Sequence, residues 1–531
     1  MTINEKHQHN LGLPISRMPN EILSRIFCDL RNQYVNPARP RRLCRHQHGF
    51  KCLNSWIGIT HVCHVWREVA LNASLLWCHI DVSQQFYNWT PELLRRSKQS
   101  PLTLVVEWAA HKHGLLGEMK RHFERARELV LDDRLINSAT MHEIFSSQTN
   151  FQNLETLDIS LYGTPFILND SHLRAERLRR LNLLSCPIDW NSKFLRGLTH
   201  LRLDQPTTNG LGCRDLTFVL SKIPALETLH LSDALLESDE DVQTHQVTKV
   251  HLQHLQRLYV ASQIPEMAQF ISSLIVPRSC KLRLFTWHDY PAICDRDKFH
   301  VIFSWISNQF RVPATSSDAS DHEQYIRSFR LVRSSVTMVF KVEGFCDVLS
   351  HEQLETADPI LTLEVDCIYE DDNFDLNLRT FLSLLPLSGV TFLEVHDSVN
   401  LGLSPKSWRV AFGSIQTLKT IYLDTRTSHF WQALTPANGD NKTVKSLPFP
   451  ALASVAVVDP SPNFKLVLDK LRVRSDLGGT QLQDLRFTTS NLWPPGHIMI
   501  QLGKLVSHIR YMDIWSSDTD DSSIEYDDDE D

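Results

Sequence analysis

The sequence predicts an α/β chain: a short helical segment near the N-terminus, then a long array of strand–helix units, then an acidic tail. Three observations carry this reading. The pattern L-x-x-L-x-L, or a close apolar variant, recurs from Ala126 to Tyr511 at steps of 20 to 34 residues, with one gap. Between copies, apolar residues fall at helical spacing, as at Leu216, Val219, Leu220 and Ile223 ahead of Leu226. Residues 13–82 carry the helical period without the repeat.

The copies begin at Ala126, Leu154, Leu178, Leu198, Leu226, Leu255 and Leu282, and after the gap at Ile360, Val390, Leu418, Leu452, Leu482 and Val506. In each, the last two apolar residues alternate along a short strand and point inward, as Leu181 and Leu183 do. A repeat of 20–30 residues cannot bury its apolar face alone. Stacking neighbours buries it, which predicts a solenoid of parallel strands with helices on the other side. Residues from about His288 to Asp358 obscure the period.

The helical segment opens as LPISRMPNEILSRIFCDL and resumes as WIGITHVCHVWREVALNASLLWCHIDV. Ile22, Leu23, Ile26, Phe27 and Leu30 form two adjacent apolar stripes, wider than one core contact needs. Pro19 suits a first helical turn. Ile59, Val62, Cys63, Trp66, Val69 and Ala70 repeat the helical period, and a short segment Ser74–Trp77 follows Asn72. Three helices of this kind leave an apolar face over, and such a face calls for a partner. Arg31 to Ser55, with Pro37, Arg39, Pro40, Arg41 and Arg42, reads as an exposed inserted loop.

MPNEILSRIF, then VCHVW, then LLW resemble the F-box, the three-helix module that docks on a Skp-family adaptor of cullin–RING ubiquitin ligases. The resemblance covers about seventy residues. It implies an adaptor-binding face of Pro19, Ile22, Leu23, Ile26, Val62, Cys63, Trp66, Leu76 and Trp77, with Phe27 and Leu30 in the core between helices. The later motif resembles the leucine-rich repeat. That family's buried Asn or Cys is matched at Cys186, whereas Pro206, Ala234 and Gln263 stand elsewhere.

The expected domains are a disordered lead at 1–12, the F-box-like segment at 13–82 with its loop at 31–55, a leucine-rich-repeat-like solenoid at 83–512, and a disordered acidic tail at 513–531. Lys and Arg number 54 against 62 Asp and Glu, but nine of the acidic residues lie in 515–531. The rest carries 54 basic against 53 acidic side chains, so bulk charge gives no case for nucleic acid. No stretch reaches the length of a membrane span, the first twelve residues have no apolar core, and eleven scattered cysteines fit a reducing compartment. An intracellular protein, cytoplasmic or nuclear, is expected.

Chemistry-bearing motifs are absent from the sequence. It holds no G-x-x-x-x-G-K-[ST], G-x-G-x-x-G, G-x-S-x-G or H-E-x-x-H, and His351-Glu352 is followed by Gln353 and Leu354. Cys44-x-His46-x-His48-x3-Cys52 matches no common two-pair zinc spacing and reads as loop. The expectation is a non-enzyme with no cofactor and no metal: a substrate-recognition subunit of a Skp–cullin–F-box type ubiquitin ligase, or a scaffold or sensor built from the same parts. Outward strand residues between the inward pairs are the candidates for target binding. They are Asp158, Arg180, Asn182, His200, Arg202, His230, Arg257 and Tyr259.

Overall fold

The computed structural model describes residues 14–34, 56–82, 87–106, 114–132, 138–145, 151–161, 166–205, 211–236, 249–287, 296–310, 325–333, 339–366, 379, 381–397, 403–436, 447–489 and 494–513. The chain is mixed α/β, with mostly parallel strands and helices packed about them. It divides into two compact units: residues 1–211 with 218–234, and residues 212–217 with 235–531.

In the first unit seven strands pair in sequence order, every neighbour parallel: β1 (His79–Val82), β2 (Leu102–Val106), β3 (Ala126–Asp132), β4 (Thr156–Ser160), β5 (Arg180–Leu184), β6 (His200–Asp204) and β7 (Thr228–Ser232). The predicted inward pairs are Leu157/Ile159, Leu181/Leu183, Leu201/Leu203 and Leu229/Leu231, and all are buried. Each such side chain contributes about 1.5–3 kcal/mol relative to exposure. Phenylalanines fill the layer behind the strands, with ring centroids 5.7 Å apart for Phe123–Phe151 and 5.8 Å for Phe145–Phe166. The repetition extends to the backbone. Ser185, Gln205 and Asp233 each stand two residues after the second inward leucine, and each adopts a left-handed φ of 51°, 45° and 50°. One turn geometry therefore ends three successive strands, at a cost that side chains other than Gly, Asn or Asp feel most.

The second unit places ten strands in the order β8 (Arg257–Gln263), β9 (Lys281–Trp287), β12 (Leu361–Asp366), β11 (Val339–Phe345), β10 (Ser328–Arg333), β13 (Phe392–Asp397), β14 (Thr420–Asp424), β15 (Ser454–Val458), β16 (Leu482–Thr489) and β17 (Val506–Asp513). All pairings are parallel except those of β11, which runs antiparallel to both neighbours. The obscured stretch 288–358 thus contains a helix (Arg296–Phe310) and two strands paired antiparallel, and β12 takes its place between β9 and β11. An antiparallel partner needs no crossover helix, and so leaves no repeat period to read.

Several expected boundaries move. The first helix, α1 (Asn20–Tyr34), runs four residues into the expected loop. The second helical stretch is two pieces, a 3₁₀ turn (Gly58–His61) and α2 (His64–Asn72). Cys63, expected on a helix face, is instead the extended N-cap whose Sγ accepts the Trp66 N–H at 3.4 Å. Residues 79–82, assigned to the helical segment, form β1. Strand β17 runs to Asp513, the first residue assigned to the tail. The lead 1–12, the Cys44–Cys52 cluster and residues 514–531 lie outside the described residues. Among the described residues no helix is long and apolar enough to cross a membrane.

Candidate functional site

The helical segment divides its apolar residues between a core and an accessible surface. On α1, Leu23 and Phe27 are 1% exposed, while Ile22 and Ile26, one turn apart, are 47% and 44% exposed. Phe27 packs on Trp66 with centroids 5.1 Å apart, and Trp56 meets Trp77 at 5.4 Å. Trp77 donates its Nε1–H to the Ala70 carbonyl at 2.8 Å, and Arg96 lies 4.4 Å over its ring. Arg31 Nη1 donates to the Leu75 carbonyl at 2.6 Å, tying α1 to the 3₁₀ turn Ser74–Trp77.

Of the nine residues expected on the adaptor-binding face, Pro19, Ile22, Ile26 and Val62 are exposed, and Cys63 and Trp66 are partly buried. Leu23, Leu76 and Trp77 are buried in the core. Leu75, not chosen from the sequence, is 59% exposed beside its buried neighbour. A tight 3₁₀ turn directs adjacent leucines to opposite sides, which the pair Leu-Leu does not announce.

The strand faces bring the expected target-binding residues into rows. Pairing register aligns Asp158 with Asn182, Asn182 with Arg202, and Arg202 with His230. Arg180 is aligned with His200 in the adjoining row. Asn182 Nδ2 donates to Asp158 Oδ2 at 3.3 Å. Arg202 and His230 converge on a residue the sequence reading missed, Asp204, at 2.8 Å and 3.2 Å. Burial pushes the Asp204 carboxyl up, but the hydrogen bonds from His230 and Arg202 outweigh it and hold the group below its ordinary range. Arg257 and Tyr259 belong to the other unit, where they align with Lys281 and Arg283. Those two cations share Asp358, at 2.6 Å and 3.3 Å.

The second unit also holds a tighter ionic cluster. Strand pairing sets Arg330 between Glu343 and Glu394, with Tyr422 on the far side of Glu394. The Glu394 side chain is fully buried and takes contacts from three groups: Arg330 Nε at 2.9 Å, His351 Nδ1 at 3.1 Å, and His396 Nε2. His396 Nδ1 lies 3.0 Å from Asp424 Oδ2. His351 comes from a four-residue helix, His351–Leu354, and stacks on Tyr422 with centroids 4.0 Å apart. Leu354 packs with Phe345 and Phe392 beside the cluster. Burial alone would lower the His396 pKa, yet hydrogen bonds to Asp424 and Glu394 raise it to about 9. Glu394 is correspondingly lowered: burial works against ionisation, and His396, Arg330 and His351 reverse it.

No linear pattern announces this cluster. Glu394 and His396 stand two apart on one face of a strand, but His351 precedes them by more than forty residues and Arg330 by more than sixty. The one local signal, His351-Glu352, leads to no second histidine on its own helix. The chain matches no protein-family model and no curated protein.

Proposed function

We propose that residues 13–82 act as an F-box and that the strand–helix repeats act as a leucine-rich-repeat-like solenoid. The chain would then be a non-enzymatic, intracellular substrate-recognition subunit of a Skp–cullin–F-box type ubiquitin ligase. The observation that carries this reading is the division of apolar side chains on the helical segment. Leu23, Phe27, Leu76 and Trp77 satisfy its core, yet Ile22, Ile26, Val62 and Leu75 remain in water. Burying aliphatic side chains of this size against a partner is worth about 1.5–3 kcal/mol each, which supports a docking role for this face. The polar rows around Arg202 and His230 supply a surface for a target, since arginine is enriched at binding hot spots.

Ile22→Asp with Ile26→Asp tests the adaptor face without touching the core, whereas Leu23→Asp would bury a carboxylate. Adaptor and cullin co-purify with the native chain and are lost from the double variant, while its melting temperature is kept. Undiminished capture by the double variant would refute the assignment. Adaptor captured without a cullin would point to the alternative, a scaffold or sensor that acts without ubiquitin transfer.

A further inference from the structure

The one place among the described residues where histidine and acidic side chains converge in metal-ligating geometry is the Glu394 cluster. We propose that His351 Nδ1, a Glu394 carboxylate oxygen and His396 Nε2 bind one divalent transition-metal cation, zinc being the first choice. The donor set is two imidazole nitrogens and one carboxylate, the type that holds zinc with a fourth position open to water or a ligand. The three ligating atoms lie within 4.8 Å of one another. Around a tetrahedral ion with bonds of about 2.0–2.1 Å, ligand atoms stand about 3.3 Å apart. His351 Nδ1 stands 3.1 Å from Glu394 Oε2, close to that spacing, whereas His396 Nε2 is in hydrogen-bond contact with the other oxygen, Oε1, and must move apart from it around an ion.

Two features beyond the ligands favour an ion. Asp424 Oδ2 sits 3.0 Å from His396 Nδ1, which fixes the ring and directs Nε2 at Glu394, and the ion takes the place of the Nε2 proton, which leaves to solvent. This carboxylate–histidine arrangement is the usual outer support of a metal-bound imidazole. Access is the second feature. The side chains of His351 and His396 are 31% and 20% exposed, so an ion can reach Glu394 from solvent.

Arg330 is the competitor. Its Nε lies 2.9 Å from Glu394 Oε1 and its Nη2 lies 3.5 Å from His396 Nε2, so the guanidinium faces two of the proposed ligands and has to withdraw as an ion enters. Glu343, 3.8 Å from Nη1, can keep the guanidinium when Oε1 turns to an ion.

Titrating the full chain with cobalt(II), followed by zinc competition, tests the site. The expected result is one cobalt equivalent with visible bands but no thiolate charge-transfer band, displaced by zinc. His351→Ala and His396→Ala each weaken it by about tenfold or more, and Asp424→Ala by about 10–100-fold. Arg330→Gln tightens it by about tenfold or more, because it removes a positive charge a few ångströms from a dication. Unfolding would bring in cysteine ligands and their charge-transfer band, so a gain in affinity without that band keeps the test decisive if a histidine variant melts early. Four results overturn the proposal: no cobalt bound by the native chain, cobalt bound only through thiolates, a non-thiolate equivalent unaffected by both histidine substitutions, or an Arg330→Gln variant that binds cobalt no more tightly than the native chain.

Discussion

The two units use the same inward leucines and differ in what they do with the outward positions. In the first, every strand follows its predecessor in parallel, so equivalent residues line up as Asp158, Asn182, Arg202 and His230. These remain accessible or half-buried, and one carboxylate, Asp204, binds two of them. In the second, the reversed strand β11 and the short helix after it interrupt the array. The same kind of outward row then becomes a covered cluster, with Glu394 fully buried among Arg330, His351 and His396. Unbroken repetition makes an extended polar surface. A break in repetition makes a concentrated site.

The largest effect that would separate these regimes is removal of Glu394. Glu394→Ala leaves Arg330 and His396 without their shared counter-charge, and breaking a buried ionic set costs about 3–5 kcal/mol. Urea unfolding should show this loss, with hydrogen exchange quickening in β10, β13 and β14. A loss under 1 kcal/mol would mean that the cluster behaves like an exposed row. Next comes the shared architecture: Leu201→Ala, at a buried inward position of the first unit, is expected to lose about 2–5 kcal/mol. Exchange should quicken first in β5, β6 and β7, and a uniform effect along the whole chain would argue against locally stacked repeats.

A smaller effect belongs to Asp204. Hydrogen bonds to charged groups are worth about 1.5–3 kcal/mol, so Asp204→Asn should cost up to that amount at neutral pH. The native carboxyl titrates below its unfolded value, so its contribution is complete above the unfolded pKa of about 3.9 and declines as pH falls through the lower folded value. The difference between native and variant stability should therefore shrink on acidification below about pH 4. A difference that grows there would reverse the assigned sign. The smallest effect is at Arg180, which is exposed on β5. Arg180→Glu should change stability by no more than about 0.5 kcal/mol while altering the set of proteins captured by the chain. A large drop in melting temperature would show that this row is structural.

Much of the architecture was legible residue by residue. Leu157, Ile159, Leu181, Leu183, Leu201, Leu203, Leu229 and Leu231 are all buried on strands, as the repeat requires. Leu216, Val219, Leu220 and Ile223, read as one helical stripe, are likewise buried. The N-terminal face was legible only in part. Helical period told that Ile22, Leu23, Ile26 and Phe27 are two stripes, but not that a 3₁₀ turn would bury Leu76 and expose Leu75, nor that Cys63 would cap α2.

What the sequence determined by itself was periodicity, because burial of one face per short element forces apolar residues to recur at fixed spacing within each repeat. It also set which outward residues share a register in the first unit. In the second, the copy at Leu282 predicts Phe285 and Trp287 turned inward, but Leu282 and Leu284 are the buried pair that aligns with Leu258 and Val260. Only the tertiary structure decided which acceptor Arg202 and His230 share, where the reversed strand β11 enters, and that His351, Arg330, Glu394 and His396 meet. Those contacts join residues from separate elements, and their geometry depends on how strands pair across the sheet, which no local pattern of residues encodes.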